Sequence, residues 1–221
     1  MNKPKLSREL NYVLAMVLLP FSISLATKAN LGLSMIAAPT YIISEKVSFL
    51  SYGQTEYIAQ GLVLMLMCLV VKKFKTAYLT SFLTALIYGS ILDLFIWLER
   101  DWVVEAMWLR IILFIVGMIL TAISIALFMN TYLAPCAWDY FVRTVVEEKQ
   151  LDLRKFKLSY DFCFLIISVV LTLTLFHKFI GVTWGTLIIA ACNGNIIAFV
   201  DKFINKHFEL YDAIPKLKKI Y

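Results

Sequence analysis

Six apolar segments, each close to or at the length of a membrane-crossing helix, dominate this sequence. A helix needs ~20 residues to cross the hydrocarbon of a bilayer. The chain of 221 residues is 61% hydrophobic and only 16% charged, far from the balance of a soluble domain. The pattern predicts an all-α, polytopic protein with six transmembrane helices in a single membrane domain, residues 1–221. The segments are Tyr12–Leu25, Tyr57–Val71, Tyr78–Leu98, Trp108–Met129, Phe162–Leu175 and Thr183–Val200.

Positive charge is concentrated in the connections that share one side of these segments. The opposite side keeps four basic residues, together with acidic ones. By the positive-inside rule, this distribution predicts that the N- and C-termini are both cytoplasmic. The net charge of +6 is then explained by topology and contact with lipid headgroups, not by nucleic acid. The residues on the basic side are Lys3, Lys5, Arg8, Lys72, Lys73, Lys75, Arg143, Lys149, Arg154, Lys155, Lys157, Lys202, Lys206, Lys216, Lys218 and Lys219.

The two halves of the chain, about 1–100 and 107–208, repeat one order of segments. Each half has a basic end, an apolar span, a short helix, and two further spans separated by a tight connection. Because three spans per half reverse the direction of entry, the second half would form an inverted repeat of the first. A cytoplasmic tail over 209–221 follows the second half. The alternative to a true repeat is chance similarity between apolar segments. Pairs that coincide at a spacing of 105 residues are Lys73/Lys178, Phe74/Phe179, Ala85/Ala190, Gly89/Gly194 and Ile91/Ile196.

A short helix is predicted after the first span of each half. Met35–Lys46 follows the polar turn 30–34, and Cys136–Lys149 follows the turn 130–135. Both are too short to cross a bilayer. One interpretation is a pair of interfacial helices lying flat on the membrane. The other is a pair of re-entrant helices, whose N-termini would offer unpaired N–H groups and partial positive charge at mid-membrane.

Polar side chains within or beside the spans are costly and are therefore the candidate functional residues. Glu56 and Gln60 are four residues apart, which places them on one helix face. For each acid a solvated or interfacial position is the alternative; for Asp93 the alternative is a carboxylate that reaches the outer surface or pairs with Arg110. The substrate-binding candidates are Asn30, Ser34, Asn130, Asp139, Asn193 and Asn195, and the coupling or gating candidates are Asp93, Arg110, Glu56, Gln60 and Asp161.

No enzyme centre, metal site or cofactor is predicted. His177 and His207 are single and lie at membrane edges, and the four cysteines have no C-x-x-C spacing. Phosphate-loop, H-E-x-x-H and nucleophile-elbow motifs are not present.

Four short motifs stand in the turns and near the helix ends. They are Asn30–Leu31–Gly32, Leu133–Ala134–Pro135 before Trp138–Asp139, Gly185–Thr186, and Gly89-x-Ile91-x-Asp93. These motifs resemble those of the YczE/YyaS/YitT family of bacterial membrane proteins. The chain departs from that family at Ser34–Met35, where a proline is usual, and at Ala198, where an acid is expected. The resemblance implies a multi-pass protein of the bacterial cell membrane and supports a fold more than a function.

These features together predict a secondary transporter for a small polar or charged solute, working by alternating access across the inverted repeat. Its partners would be the solute or ion, membrane lipid and, as an open alternative, a second copy in a homodimer. A solute-binding membrane subunit of an ATP-driven importer is one alternative function. A non-transporting accessory or regulatory membrane protein is the other.

Overall fold

A computed structural model describes residues 3–72, 74 and 76–214. Lys73, Lys75 and residues 215–221 of the predicted tail lie outside the described residues. The elements are β1 (Lys5–Ser7), α1 (Arg8–Ala29), α2 (Ala37–Lys46), α3 (Tyr52–Val71), α4 (Thr76–Leu98), α5 (Met107–Met129), α6 (Ala137–Lys149), α7 (Leu153–Phe176), α8 (Trp184–His207) and β2 (Glu209–Tyr211).

Six of these helices (α1, α3, α4, α5, α7 and α8) are long and apolar enough to cross a membrane. This confirms the predicted all-α class and the six long apolar helices, which are candidate membrane spans. Local signals set the helix ends. Ser51 and Gln54 form a reciprocal capping box at the start of α3. Asn30 ends α1 in the left-handed conformation, with a φ of 49°.

The short helices α2 and α6 lie at equivalent places in the order of elements. Each half of the chain reads as one long helix, one short helix and two long helices: α1 to α4, then α5 to α8. Both short helices begin within two residues of their predicted starts and end at the predicted lysines, Lys46 and Lys149.

Helices pack both within each half and between the two halves. The first helices of the two halves, α1 and α5, form the central pair. Helix α3 packs on α6, and α2 packs on α7. Each central helix also packs on the last helix of its own half, α1 on α4 and α5 on α8. If α1–α4 are exchanged in order for α5–α8, most of these helix pairs therefore become another pair of the same set.

The two ends of the described chain meet. Strand β1 pairs in parallel with β2, with Leu6 opposite Leu210. The start of α1 and the end of α8 therefore lie on one side, here called the basic side. The opposite side is here called the far side. There, Lys28 Nζ lies 3.4 Å from the carbonyl oxygen of Arg100. The sequence did not predict the strands, which are only three residues long.

The six long helices are buried to different extents within the structure. In α1, α3, α4 and α5, 33–39% of the residues in the apolar window are buried, against 11% in α7 and α8. Helix α3 packs closely on α4, where Gly53 and Gly89 meet backbone to backbone. Gly194 of α8, in contrast, has nothing within 4 Å of the position of a Cβ. Much of α7 and α8 is thus exposed on the surface of the described chain.

Candidate functional site

A buried carboxyl group, that of Glu56, lies at the centre of the best-connected polar cluster among the spans. Its side chain is 1% exposed. The Thr40 hydroxyl of α2 lies 2.5 Å from Glu56 Oε1. Glu56 Oε2 accepts from Trp138 Nε1 of α6 at 3.1 Å and from Gln60 Nε2 at 3.3 Å. One carboxyl group therefore contacts both short helices.

Gln60 extends this cluster to the first residue of α6. Its side-chain oxygen accepts from the backbone N–H of Ala137 at 3.0 Å, and the side chain is fully buried. The amide thus takes one of the backbone donors that a helix start leaves unpaired. The two residues predicted to share one face of α3 are brought together in this cluster. The contact with Trp138 was not predicted, because residues 82 positions apart in sequence carry no spacing signal.

The groups that face Glu56 are uncharged at ordinary pH. They are the phenols of Tyr52 and Tyr88 and the thiol of Cys136, which precedes α6. Among the described residues, no lysine, arginine or histidine forms an ion pair with Glu56. The cluster is therefore a carboxyl site held by neutral donors.

A small cavity of about 20 Å³ lies at the start of α2, between α1, α5 and α8. Its polar lining comes from Ser34, Thr121 and Asn193. Ser34 and Asn193, both predicted as substrate-binding residues, are therefore brought together. The Asn193 Oδ1 atom is buried and has no hydrogen-bond partner among the described residues. A volume of this size admits a water molecule but no larger solute.

Asn195 does not join this cavity. It is exposed, and two residues along a helix turn a side chain by ~200°, to the face away from Asn193.

Asp93 caps the start of α3. Its carboxylate accepts from the Ser51 hydroxyl at 2.5 Å and from the backbone N–H of Gly53 at 2.7 Å. The alternative in which Asp93 pairs with Arg110 has no such contact in the described part of the chain. Arg110 instead donates to the carbonyl oxygens of Ala29 (2.7 Å) and Asn30 (2.6 Å). It therefore completes the end of α1, where a cation is favoured.

Asn130, at the end of α5, binds an acid that the prediction did not include. Its Nδ2 donates to Asp201 of α8 at 2.6 Å. Nearby, the Tyr132 hydroxyl donates to Glu9 at 2.5 Å. Burial and this carboxylate raise the pKa of Tyr132 to about 12. Asn30 and Asn130 thus both lie at helix ends, where they contact other elements through different atoms.

Asp139 and Asp161 share one cation, the ammonium of Lys157. Its Nζ lies 3.2 Å from Asp139 Oδ1 and 3.4 Å from Asp161 Oδ1. All three side chains are partly exposed, by 28–42%. They tie the start of α6 to the basic end of α7.

Two further buried polar residues were missed. Glu99 is 2% exposed; its Oε1 accepts from Ser24 at 2.9 Å, while its Oε2 has no hydrogen-bond partner among the described residues. Burial raises the pKa of Glu99, and the Ser24 hydroxyl and the charge of Lys28 partly offset this effect. Asn11 of α1 is fully buried, and neither of its amide atoms has a hydrogen-bond partner in the described chain. Their place in or beside apolar spans was the available signal.

Two turns dock on helices of the opposite half. The carbonyl oxygen of Leu31 accepts from the Thr183 hydroxyl and from the backbone N–H of Gly185, at the start of α8. In the other half, the carbonyl oxygen of Pro135 accepts from Ser81 of α4 at 2.8 Å, and that of Ala134 accepts from Thr84 at 3.3 Å. Three of the four short motifs on which the resemblance rests therefore pack beside the starts of α2 and α6.

Comparison with known proteins supports the resemblance. Residues 6–202 match a family model described as "Family of unknown function (DUF6198)". The chain is also similar to "Uncharacterized protein YyaS" of Bacillus subtilis (strain 168), with 24% identity over 199 residues, 89% of this chain and 94% of the relative. No solved structure gives a significant match. These findings confirm the resemblance to the YyaS-type family, and because the family model covers most of the chain, the protein belongs to the DUF6198 family.

Proposed function

We propose that this protein is a secondary transporter for a small polar or charged solute. The observation that carries the proposal is the Glu56–Gln60 cluster, a buried polar centre that holds α2 through Thr40 and α6 through Ala137 and Trp138. Transporters with inverted repeats bind solutes and coupling ions near the bilayer midplane, where interrupted helices begin.

The depth of the start of α6 supports a re-entrant helix. At ~1.5 Å per residue, Gln60 lies ~12 Å from Tyr52 and ~16 Å from Val71 along α3. Ala137 is bonded to Gln60, so α6 begins near the middle of that span. Phe141 and later residues of α6 pack in one cluster with the second half of α3. Helix α6 then runs outward to the basic side.

Helix α2 makes the corresponding contacts toward the far side. It packs along α7, and Lys46 Nζ, at its end, donates to the carbonyl oxygen of Leu175 at 3.2 Å. With the exchanged packing of the two halves, this placement favours two inverted repeats with cytoplasmic termini. Alternating access would then be a movement of one half against the other around Glu56 and the cavity at Ser34 and Asn193.

The first test is ligand-induced thermal stabilisation of the detergent-purified protein. A metabolite or ion at 100 times its dissociation constant stabilises a protein by ~2.7 kcal/mol, which corresponds to a rise in Tm of roughly 5–10 °C for a chain of this size. We expect Asn193→Ala to weaken the response. Asn195→Ala is the matched control on the same helix, because its side chain lies outside the cavity.

A ligand found in this way is then tested for uptake into proteoliposomes that contain only this protein. Saturable uptake that Asn193→Ala impairs and Asn195→Ala preserves supports the proposal. Binding without uptake, or equal loss in both variants, contradicts it.

A second candidate is a membrane subunit that works with a partner, either an ATPase module or a protein that it regulates. The sparse coverage of α7 and α8 favours this candidate, because their exposed faces offer room for a neighbouring protein. It predicts a stable complex in gentle detergent and no autonomous uptake. Intact uptake by the isolated protein would exclude it.

A further inference from the structure

The hydroxyl group of Thr40 has two acceptors within reach and one proton to give. It lies 2.5 Å from Glu56 Oε1 and 2.9 Å from the carbonyl oxygen of Ala37. The Ala37 oxygen does not depend on Thr40, because the Tyr52 hydroxyl also donates to it at 3.0 Å. The direction of the hydrogen bond between Thr40 and Glu56 is therefore free to reverse.

Two arrangements of protons satisfy this cluster. With an ionised Glu56, the Thr40 hydroxyl donates to Glu56 Oε1, and only the Tyr52 hydroxyl donates to the carbonyl oxygen of Ala37. With a protonated Glu56, the acid O–H donates to Thr40 Oγ1, and Thr40 donates to Ala37. In both arrangements Oε2 accepts from Trp138 and Gln60, so the added proton belongs on Oε1.

The surroundings of Glu56 do not fix it in the ionised form. Every element packed against it presents neutral groups: Thr40 from α2, Tyr88 from α4, Cys136 and Trp138 from the start of α6, and Tyr52 from α3 itself. An ionised carboxylate without a cation is costly in such a place, although three donors reduce that cost.

We propose that Glu56 is a proton-binding site, and that the proton is the coupling ion of this protein. The role in coupling rests on the proposed transport function, whereas binding of the proton does not. Hydrogen bonds to an ionised carboxylate are roughly twice as strong as those between neutral groups. Binding of one proton therefore weakens the contacts with α2 and α6 together. Because Glu56 is 1% exposed, it exchanges this proton with water in another conformation.

The direct test is infrared difference spectroscopy of the protein in lipid between acid and alkaline pH. We expect a C=O band of a protonated carboxyl group that appears at acid pH and is lost in Glu56→Gln. This variant is expected to fold, because its amide can donate to Thr40 and accept from Trp138. Glu99→Gln is the matched control, since it removes the second carboxyl group that is buried in the described part of the chain and leaves the Glu56 band in place.

Thr40 gives a second readout. In Thr40→Val the acid O–H loses its acceptor, so the frequency of the Glu56 band shifts, and Thr40→Ser restores it. A spectrum without a band that depends on Glu56, in protein that is folded by circular dichroism, would overturn the inference. So would a band that is unchanged in Thr40→Val.

Transport is measured separately on the same variants. If a pH gradient drives uptake of the ligand identified by thermal stabilisation in wild type but not in Glu56→Gln, the result supports coupling of transport to the proton. A titrating Glu56 in a protein that takes up nothing would support the proton site and overturn the transport function. Uptake that is independent of pH and of Glu56 would overturn the role in coupling and leave the transporter proposal standing.

Discussion

The backbone N–H of Gly185 donates to the carbonyl oxygen of Leu31 at 3.1 Å, and a Cβ at this glycine would lie 2.0 Å from the same oxygen. We expect Gly185→Ala to force the turn after α1 away from α8, at a cost of about 1–3 kcal/mol or more in the free energy of unfolding. Thermal unfolding in detergent measures it. Gly194→Ala on the same helix is the control, because nothing lies within 4 Å of its Cβ position. Equal melting temperatures for the two variants would contradict this packing.

Asp93 is expected to stabilise the start of α3 as a cap. Asp93→Ala leaves the Gly53 N–H and the Ser51 hydroxyl without this acceptor, and loss of a helix cap costs about 0.5–2 kcal/mol. Asp101→Ala is the control, since its side chain is 85% exposed and contacts only Arg100 in the described chain. If Asp93→Ala melts with wild type yet abolishes uptake, Asp93 is a gating residue and its capping role is minor.

Lys157 is expected to hold α6 against α7. Lys157→Met leaves Asp139 and Asp161 without their shared cation. Because these groups are partly exposed, the expected loss is only about 1 kcal/mol. Lys155→Met is the matched control, because Lys155 lies in the first turn of the same helix and its side chain is exposed. The difference between the two variants should shrink in high salt, which screens exposed charges; a difference that is insensitive to salt would contradict the ionic origin.

Glu99 predicts a pH dependence of stability with a defined sign. Burial raises its pKa above the ordinary 4.5 in the folded protein, so the folded state binds this proton more tightly than the unfolded state. The stability of the fold therefore falls as pH rises from the ordinary to the raised pKa, and the full cost is present above the raised value. Glu99→Gln should raise the melting temperature at alkaline pH and not at pH 4. A variant that melts lower than wild type at alkaline pH would contradict this sign.

The spans and short helices were predictable because their signals are local. Apolar length located six helices, and the polar turns at Asn30 and Asn130 located the starts of α2 and α6. The predicted and observed helix ends differ where charged residues interrupt the apolar pattern. Helix α7 begins at Leu153, nine residues before the apolar run at Phe162, because Arg154, Lys155 and Lys157 fill its first turns.

The partners of the polar residues were not predictable in the same way. Asp93 was recognised as costly in its span, but its role depends on the close crossing of α3 and α4 at Gly53 and Gly89. Gly89 and Gly194 coincide in the repeat, yet one packs against a backbone and the other faces open space. Similar positions in two halves therefore do not carry similar contacts, and only the packed structure separates them.

The pairing of β1 with β2 has a consequence for how the chain is made. One strand precedes all six apolar helices and its partner follows them, so the pair can close only after the ribosome has delivered the last helix. Until then Glu9 also lacks the backbone donors of Ala213 and Ile214. Insertion of the helices and completion of the fold are thus separate events: a chain stalled after α7 would have α1 packed on α4 and α5, but its N-terminal strand would lack its partner.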